Sequence, residues 1–135
     1  MQVNTISYYE ENAKSLISRY ESADINEVQE LLLQTFYKNS KLFEIGCGSG
    51  RDASFMTKNS FDVIAIDGSK TMIEEAKKIH PELSEKLFHK TLPNDLGFDK
   101  KIDGVYSIAT LMHLSKNDLE ETISKIYNLL NQNGK

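Results

Sequence analysis

"KLFEIGCGSGRD", residues 41–52, sets three glycines within five positions directly behind a short apolar run. Glycine inside a regular element costs about 0.5–1 kcal/mol relative to alanine, so such a cluster needs a physical reason. The usual one is a main chain that turns tightly or comes very close to another group. Working outward, "KLFEIG" reads as a short strand and "DASFMTKN" has the spacing of a helix. "DVIAID" (62–67) is an apolar, largely β-branched run of the kind buried on both faces of a sheet.

The rest of the chain continues the alternation. Residues 10–20 carry a weakly amphipathic helical pattern. Asp24 or Asn26 can cap a second helix with Val28, Leu31, Leu32 and Phe36 on one face. Ser69 can cap a helix whose Met72, Ile73, Ala76 and Ile79 recur at helical spacing, and His80-Pro81 ends it. A weak strand at "KLFHK" and a firmer one at "IDGVYSIA" (102–109) follow. Ser115 with Asp118 reads as a capping box for a last helix, with Leu119, Ile123, Ile126, Tyr127 and Leu130 inward. Asn133-Gly134 marks a turn. Strands alternating with helices predict an α/β fold, a Rossmann-like parallel sheet with helices on both faces. Residues 1–135 read as one domain, with a helical segment over 1–40 and the sheet-forming core over 41–135.

Composition narrows the function. A chain of 135 residues can bury a real core without staples. The net charge is −4 and the only basic doublets are Lys77-Lys78 and Lys100-Lys101, so neither a nucleic-acid nor an anionic-membrane partner is expected. A single cysteine excludes an internal disulfide framework. No run reaches the ~20 apolar residues of a membrane span, and the N-terminus lacks the apolar core of a signal peptide. The cytoplasm is the expected compartment.

In a doubly wound fold, ligands sit beyond the carboxyl ends of the strands, where the strand order reverses. The glycine run lies at such an end, and the following helix points its free N–H groups at the same place. Asp67 closes the next strand, where a ribose would offer its hydroxyls. A nucleoside-type cofactor fits these features. The nicotinamide fingerprint G-x-G-x-x-G is not met, because Arg51 stands at its sixth position. Glu44, two residues ahead of Gly46, opposes a pyrophosphate but suits a ligand with a cationic amino-acid end. That combination points to S-adenosylmethionine.

The motifs resemble those of class I S-adenosylmethionine-dependent methyltransferases over nearly the whole chain. "FEIGCGSGRD" is similar to the family's first motif, "VIAIDGSKTMIEEAKK" to its second, and "FDKKIDGVYSIATLMHL" to its fourth-strand region. "IYNLLNQNGK" resembles the helix and turn that lead to the fifth strand. The combination of "GCGSGRD" and "IDGVYSIATLMHL", with the opening "YYEENAKSLISRY", resembles a small-molecule type related to tellurite-resistance proteins. The resemblance implies that Glu44 and the backbone of Gly46, Cys47, Gly48 and Gly50 hold the methionine part of the cofactor. It implies that Asp67 binds the ribose, that Gly68 and Met72 flank the adenine, and that Thr91 and Leu92 meet its edge. Ile108 and Ala109 would line the methyl end, with Arg51 and Tyr9 near the cofactor's carboxylate.

Several of these residues have a plain alternative. Met72 can be core, Arg51 can pair with Glu44 or Asp52, Tyr9 can be packing, and Cys47 is most simply a small buried residue. Methyl transfer from a sulfonium is an in-line displacement that depends mainly on positioning. His113 can act as general base for the acceptor, or can instead be hydrogen-bonded at the start of the last helix. His80, His89 and His113 lack ligand spacing, so no metal is expected. The resemblance also implies further strands after Asn133-Gly134, leaving the sheet incomplete on its C-terminal side and "IDGVYSIA" as an apolar edge. Truncation, or a homo-oligomer formed through that edge, are the two readings. Two functions remain open: methyl transfer to a small-molecule acceptor, or a cofactor-binding module without turnover.

Overall fold

The computed structural model describes residues 3–22, 26–96, 101–108 and 110–135. Its elements are α1 (Val3–Ser22), α2 (Asn26–Thr35), β1 (Lys41–Ile45), α3 (Arg51–Lys58), β2 (Asp62–Asp67) and α4 (Lys70–Ile79). After a 3-10 turn at Pro81–Leu83 come β3 (Leu87–His89), β4 (Gly104–Ser107), a second 3-10 turn at Leu111–His113 and α5 (Lys116–Leu129). All strands are parallel, in the order β3-β2-β1-β4. The chain winds outward from β1 through β2 to β3, then returns across the sheet to place β4 on the other side of β1. The winding direction therefore reverses between β1 and β4, and a crevice opens at the carboxyl ends there.

Alternation along the strands sorts the core onto two faces. Leu42, Val63 and Ala65 meet Leu32, Phe36, Met56, Ile73 and Ala76 on the side of α2, α3 and α4. Phe43, Ile45 and Ile66 meet Ile102 and Leu129 on the side of α5. Helix α1 lies outside α4, where Ala13 and Ile17 bury against Met72. No helix among the described residues is long and apolar enough to cross a membrane.

The expected caps form: Ser69 Oγ accepts from the Met72 amide at 3.1 Å and Ser115 Oγ from the Asp118 amide at 3.2 Å. Other expectations need correction. Helix α1 begins at Val3 rather than near residue 10, because tertiary contacts made by Tyr9 and Glu10 override the poor helix propensity of the opening residues. Helix α2 starts at Asn26 itself, and Asp24 lies outside the described residues. Leu31 is 62% exposed, and Gln29 takes the inward position instead because its amide reaches Asp52 at 3.4 Å. On α5 the buried positions are Thr122 and Leu129, with Ile126 and Leu130 packed partly beneath, while Ile123 and Tyr127 face outward. Ile79, at the last turn of α4, is also exposed.

Strand β4 is an edge strand, as the strand order required. One rung of that edge is already used. The Val105 amide donates to the Lys135 carbonyl at 2.7 Å and the Lys135 amide donates to the Asp103 carbonyl at 3.0 Å. Inside the sheet, Gly104 lies against Phe36, and a Cβ there would stand 2.4 Å from Phe36 Cε1 and 2.8 Å from Leu42 Cδ2. Gly104→Ala should overpack this contact by about 1–3 kcal/mol and lower the melting temperature by at least about 3 °C. An unchanged melting temperature would contradict the packing described.

Candidate functional site

The bend after β1 is built from main chain. Gly46, Gly48 and Gly50 have φ of 77°, 52° and 81°, in the left-handed region that side chains avoid. At Gly46 the close approach is as strict as the dihedral, since a Cβ would stand 2.0 Å from Thr110 Oγ1 beyond β4. The amides of Gly46 and Cys47 both donate to the Ile66 carbonyl, at 2.9 and 3.0 Å, which fastens the bend to the end of β2. Asp67 completes that join. Its Oδ2 accepts from the Gly48 amide at 3.0 Å and its Oδ1 from the Ser69 amide at 2.9 Å.

These segments enclose a cavity of about 430 Å³ at the switch point. Its floor is the bend itself, with Glu44 from β1, Asp67 from β2, and Arg51 and Asp52 from the first turn of α3. Met72 of α4 and Tyr9 and Tyr20 of α1 form one wall, and Ile108, Thr110, Met112 and His113 form the other. Tyr9 meets His113 edge-on, with ring centroids 6.4 Å apart. Burial and the neighbouring Tyr9 hydroxyl push the Tyr20 phenol up to about 12. The Arg51 guanidinium donates to the Tyr20 carbonyl at 2.6 Å, holding the end of α1 to the start of α3.

The floor is acidic. Glu44 is 2% exposed and accepts a hydrogen bond from the Tyr106 hydroxyl at 3.3 Å. Burial, reinforced by Asp52 and Asp67, pushes its carboxyl well above the ordinary range. Burial also raises Asp52, against a hydrogen bond from Gln29, and raises Asp67, against the amides of Ser69 and Gly48. No ion pair to any of the three forms among the described residues. The floor sets three carboxylates against the one guanidinium of Arg51, which is turned to the Tyr20 carbonyl, so a ligand carrying a cation would offset the excess negative charge. Cys47 is buried in the same floor, and burial followed by the nearby carboxylates raises its thiol well above the usual value, which disfavours the thiolate.

Ten of the residues singled out in the sequence line this cavity: Tyr9, Glu44, Gly46, Cys47, Gly48, Arg51, Asp67, Met72, Ile108 and His113. Met72 is both core and wall, being 1% exposed. Gly50 is not part of the lining: it starts α3 and faces Ala76, His80 and Leu83. Gly68 and Leu92 border a separate, far smaller crevice beside Gly46 and Thr110. Thr91 lies outside both, its amide turned to Asp95 Oδ2 at 2.9 Å. Ala109 lies outside the described residues. His113 sits in the 3-10 turn before α5 rather than in the helix itself, so its ring is free to face the cavity. Among the described residues no cluster of His, Cys, Asp and Glu is arranged to hold a metal ion.

Sequence reading missed Tyr20, Ser49, Asp52, Thr110 and Met112. Tyr20 had a signal, since it follows Tyr9 by about three helical turns and so shares its face. Thr110 had none, because its place is set by the return of the chain beside β1.

A family model described as a methyltransferase domain matches residues 42–134. The ubiquinone biosynthesis O-methyltransferase of Pelagibacter ubique is 35% identical over 98 residues, covering 72% of this chain and 40% of that protein. A phosphoethanolamine N-methyltransferase of Triticum aestivum is 28% identical over 140 residues, covering 95% of this chain and 28% of its own length. The chain thus spans less than half the length of both relatives. Among solved structures, a TehB-like S-adenosylmethionine-dependent methyltransferase from Corynebacterium glutamicum superposes with a TM-score of 0.76 at 22% identity, over 98% of this chain and 71% of that one. The magnesium protoporphyrin IX methyltransferase of Synechocystis, solved with bound S-adenosylhomocysteine, gives a TM-score of 0.73 at 17% identity, over 94% of this chain and 67% of that one. The chain belongs to the methyltransferase domain family and has the fold of its class I, S-adenosylmethionine-dependent members.

Proposed function

We propose that this chain binds S-adenosylmethionine in the cavity at the switch point and takes part in methyl transfer to a small-molecule acceptor. The observation that carries the reading is the glycine bend joined to the buried carboxylates of Glu44 and Asp67 and the half-buried one of Asp52, none of which forms an ion pair among the described residues. When bound, the cofactor supplies a methyl group already activated by the sulfonium charge. The protein's part is therefore to hold, orient and exclude water. Glu44 takes the cofactor's ammonium, with Arg51 and Tyr9 toward its carboxylate and the bend approaching between them. Asp67, oriented by the Gly48 and Ser69 amides, takes the ribose hydroxyls, and Met72 provides an apolar wall for the adenine. Ile108 borders the methyl end. His113, in the cavity wall with its ring against Tyr9, accepts a proton from an oxygen or nitrogen acceptor in this reading.

The acceptor class rests on the relatives, whose names give a ubiquinone biosynthesis O-methyltransferase and a phosphoethanolamine N-methyltransferase. The second reading is a cofactor-binding unit without turnover of its own. Release of labelled methyl groups from the cofactor over a panel of alcohols, phenols and amines separates the two.

Calorimetry should show S-adenosylhomocysteine binding and NAD silent, and tight NAD binding would overturn the assignment. Asp67→Ala should weaken S-adenosylhomocysteine by roughly 1.5–3 kcal/mol, the scale of hydrogen bonds to a charged group. The raised carboxyls add a pH dependence with a definite sign. Folding alone favours their protonated forms, so in the free protein they lend stability at low pH that is lost as pH rises through their folded values. A cationic ligand favours the ionised forms, so binding should release protons and tighten as pH rises from about 4 toward neutrality. Titrations in two buffers of different ionisation enthalpy measure this release, and affinity independent of pH would count against Glu44 as the ammonium's partner.

A further inference from the structure

Helix α1 is fastened beside the cavity by a carboxylate that the cofactor reading leaves unused. Glu10 Oε1 accepts from the Ser69 hydroxyl at 2.8 Å and the Thr71 amide at 3.1 Å, and its Oε2 accepts from the Thr71 hydroxyl. All these donors belong to the start of α4, where free N–H groups and the helix dipole favour an anion. Burial by itself would raise this carboxyl, but the hydrogen bonds from Thr71 and Ser69 outweigh it and hold Glu10 below its usual range.

Ser69 is shared. Its hydroxyl also accepts from the Met72 amide, and its own amide donates to Asp67. Glu10 is therefore one residue from Tyr9 in the cavity wall and one hydrogen-bonded residue from Asp67 in the cavity floor. Helix α1 is also held by apolar contact of Ala13 and Ile17 with Met72, the Tyr20 carbonyl on Arg51, the Tyr9 ring against His113, and Glu21 on His80 at the far end of α4.

We propose that Glu10 is a positioning residue that clasps α1 onto the start of α4, so that Tyr9 closes over the bound cofactor while Asp67 stays aimed at it. The clasp makes α1 a strap held shut jointly by Glu10 and by the ligand beneath it. This inference rests on the cofactor reading above. A carboxylate placed only to stabilise α1 would leave ligand affinity untouched, whereas a clasp couples the strap to the site, and the coupling is reciprocal.

Amide hydrogen exchange, with and without S-adenosylhomocysteine, tests it in wild type, Glu10→Ala and Thr71→Ala, alongside calorimetric affinity. In wild type the ligand should slow exchange both at residues 46–50 and along α1. In Glu10→Ala affinity should fall about tenfold, the scale of lost hydrogen bonds to a charged acceptor. Ligand-induced slowing should vanish from α1 while persisting at residues 46–50. Thr71→Ala, which removes one donor from the other side of the clasp, should shift both readouts in the same direction by a smaller factor. It carries the test if Glu10→Ala does not fold. Wild-type affinity together with wild-type slowing of α1 in the folded variants would overturn the clasp alone. Absence of slowing at residues 46–50 in wild type would overturn the cofactor reading, and the clasp with it.

Discussion

The carboxylate of Asp67 holds two loops in one place. Its oxygens take the amide of Gly48, in the bend after β1, and the amide of Ser69, at the cap of α4. Parallel strands β1 and β2 are in register to their ends, so the two loops arrive side by side, but register alone does not fix their conformation. The joint does, and it leaves the bend as an arc of bare backbone facing the switch point. Everything that lines the cavity is placed relative to that arc: α3 starts from it, α4 starts beside it, and the segment after β4 presses Thr110 into the space that a side chain on Gly46 would occupy.

Such a joint has an electrostatic consequence. Burying one carboxylate is tolerable when two amides satisfy it, yet nearby Glu44 is buried with a tyrosine, and Asp52 half-buried with a glutamine, as neutral hydrogen-bond partners. The free site is thus kept in a state that a cationic ligand improves. Stability given up here is offset by the apolar cores on both faces of the sheet, where Phe43, Leu42 and Ile45 are fully buried. An apolar wall and an acidic floor together suit a molecule with a flat heterocycle at one end and a positive charge at the other.

Much of this was legible in the sequence where a local rule and the tertiary demand coincide. The glycines, the strand-terminal Asp67, the Ser69 cap and the His80-Pro81 stop each have one physical meaning, and each stands where that meaning requires. Reading failed where position depends on what the chain meets later. Leu31, Ile123 and Tyr127 were assigned inward by hydrophobicity, but Gln29 displaced the first by finding Asp52. The other two lie on a face of α5 that the described sheet does not cover. Gly68 and Leu92 line a small crevice that shares Gly46, Asp67 and Thr110 with the cavity, and the Thr91 amide is turned to Asp95, distinctions that spacing cannot encode. Tyr20 and Thr110 are the reverse case, residues without a motif that the packing of α1 and the return to β4 deliver to the cavity.

A crystal structure grown in the presence of S-adenosylhomocysteine tests the central claim most directly. The account predicts the nucleoside in the cavity at the switch point, its ribose hydroxyls on Asp67, its ammonium toward Glu44 and its backbone-facing side along residues 46–48. Electron density for the ligand at any other surface, or a cavity left vacant at saturating concentration, would contradict it.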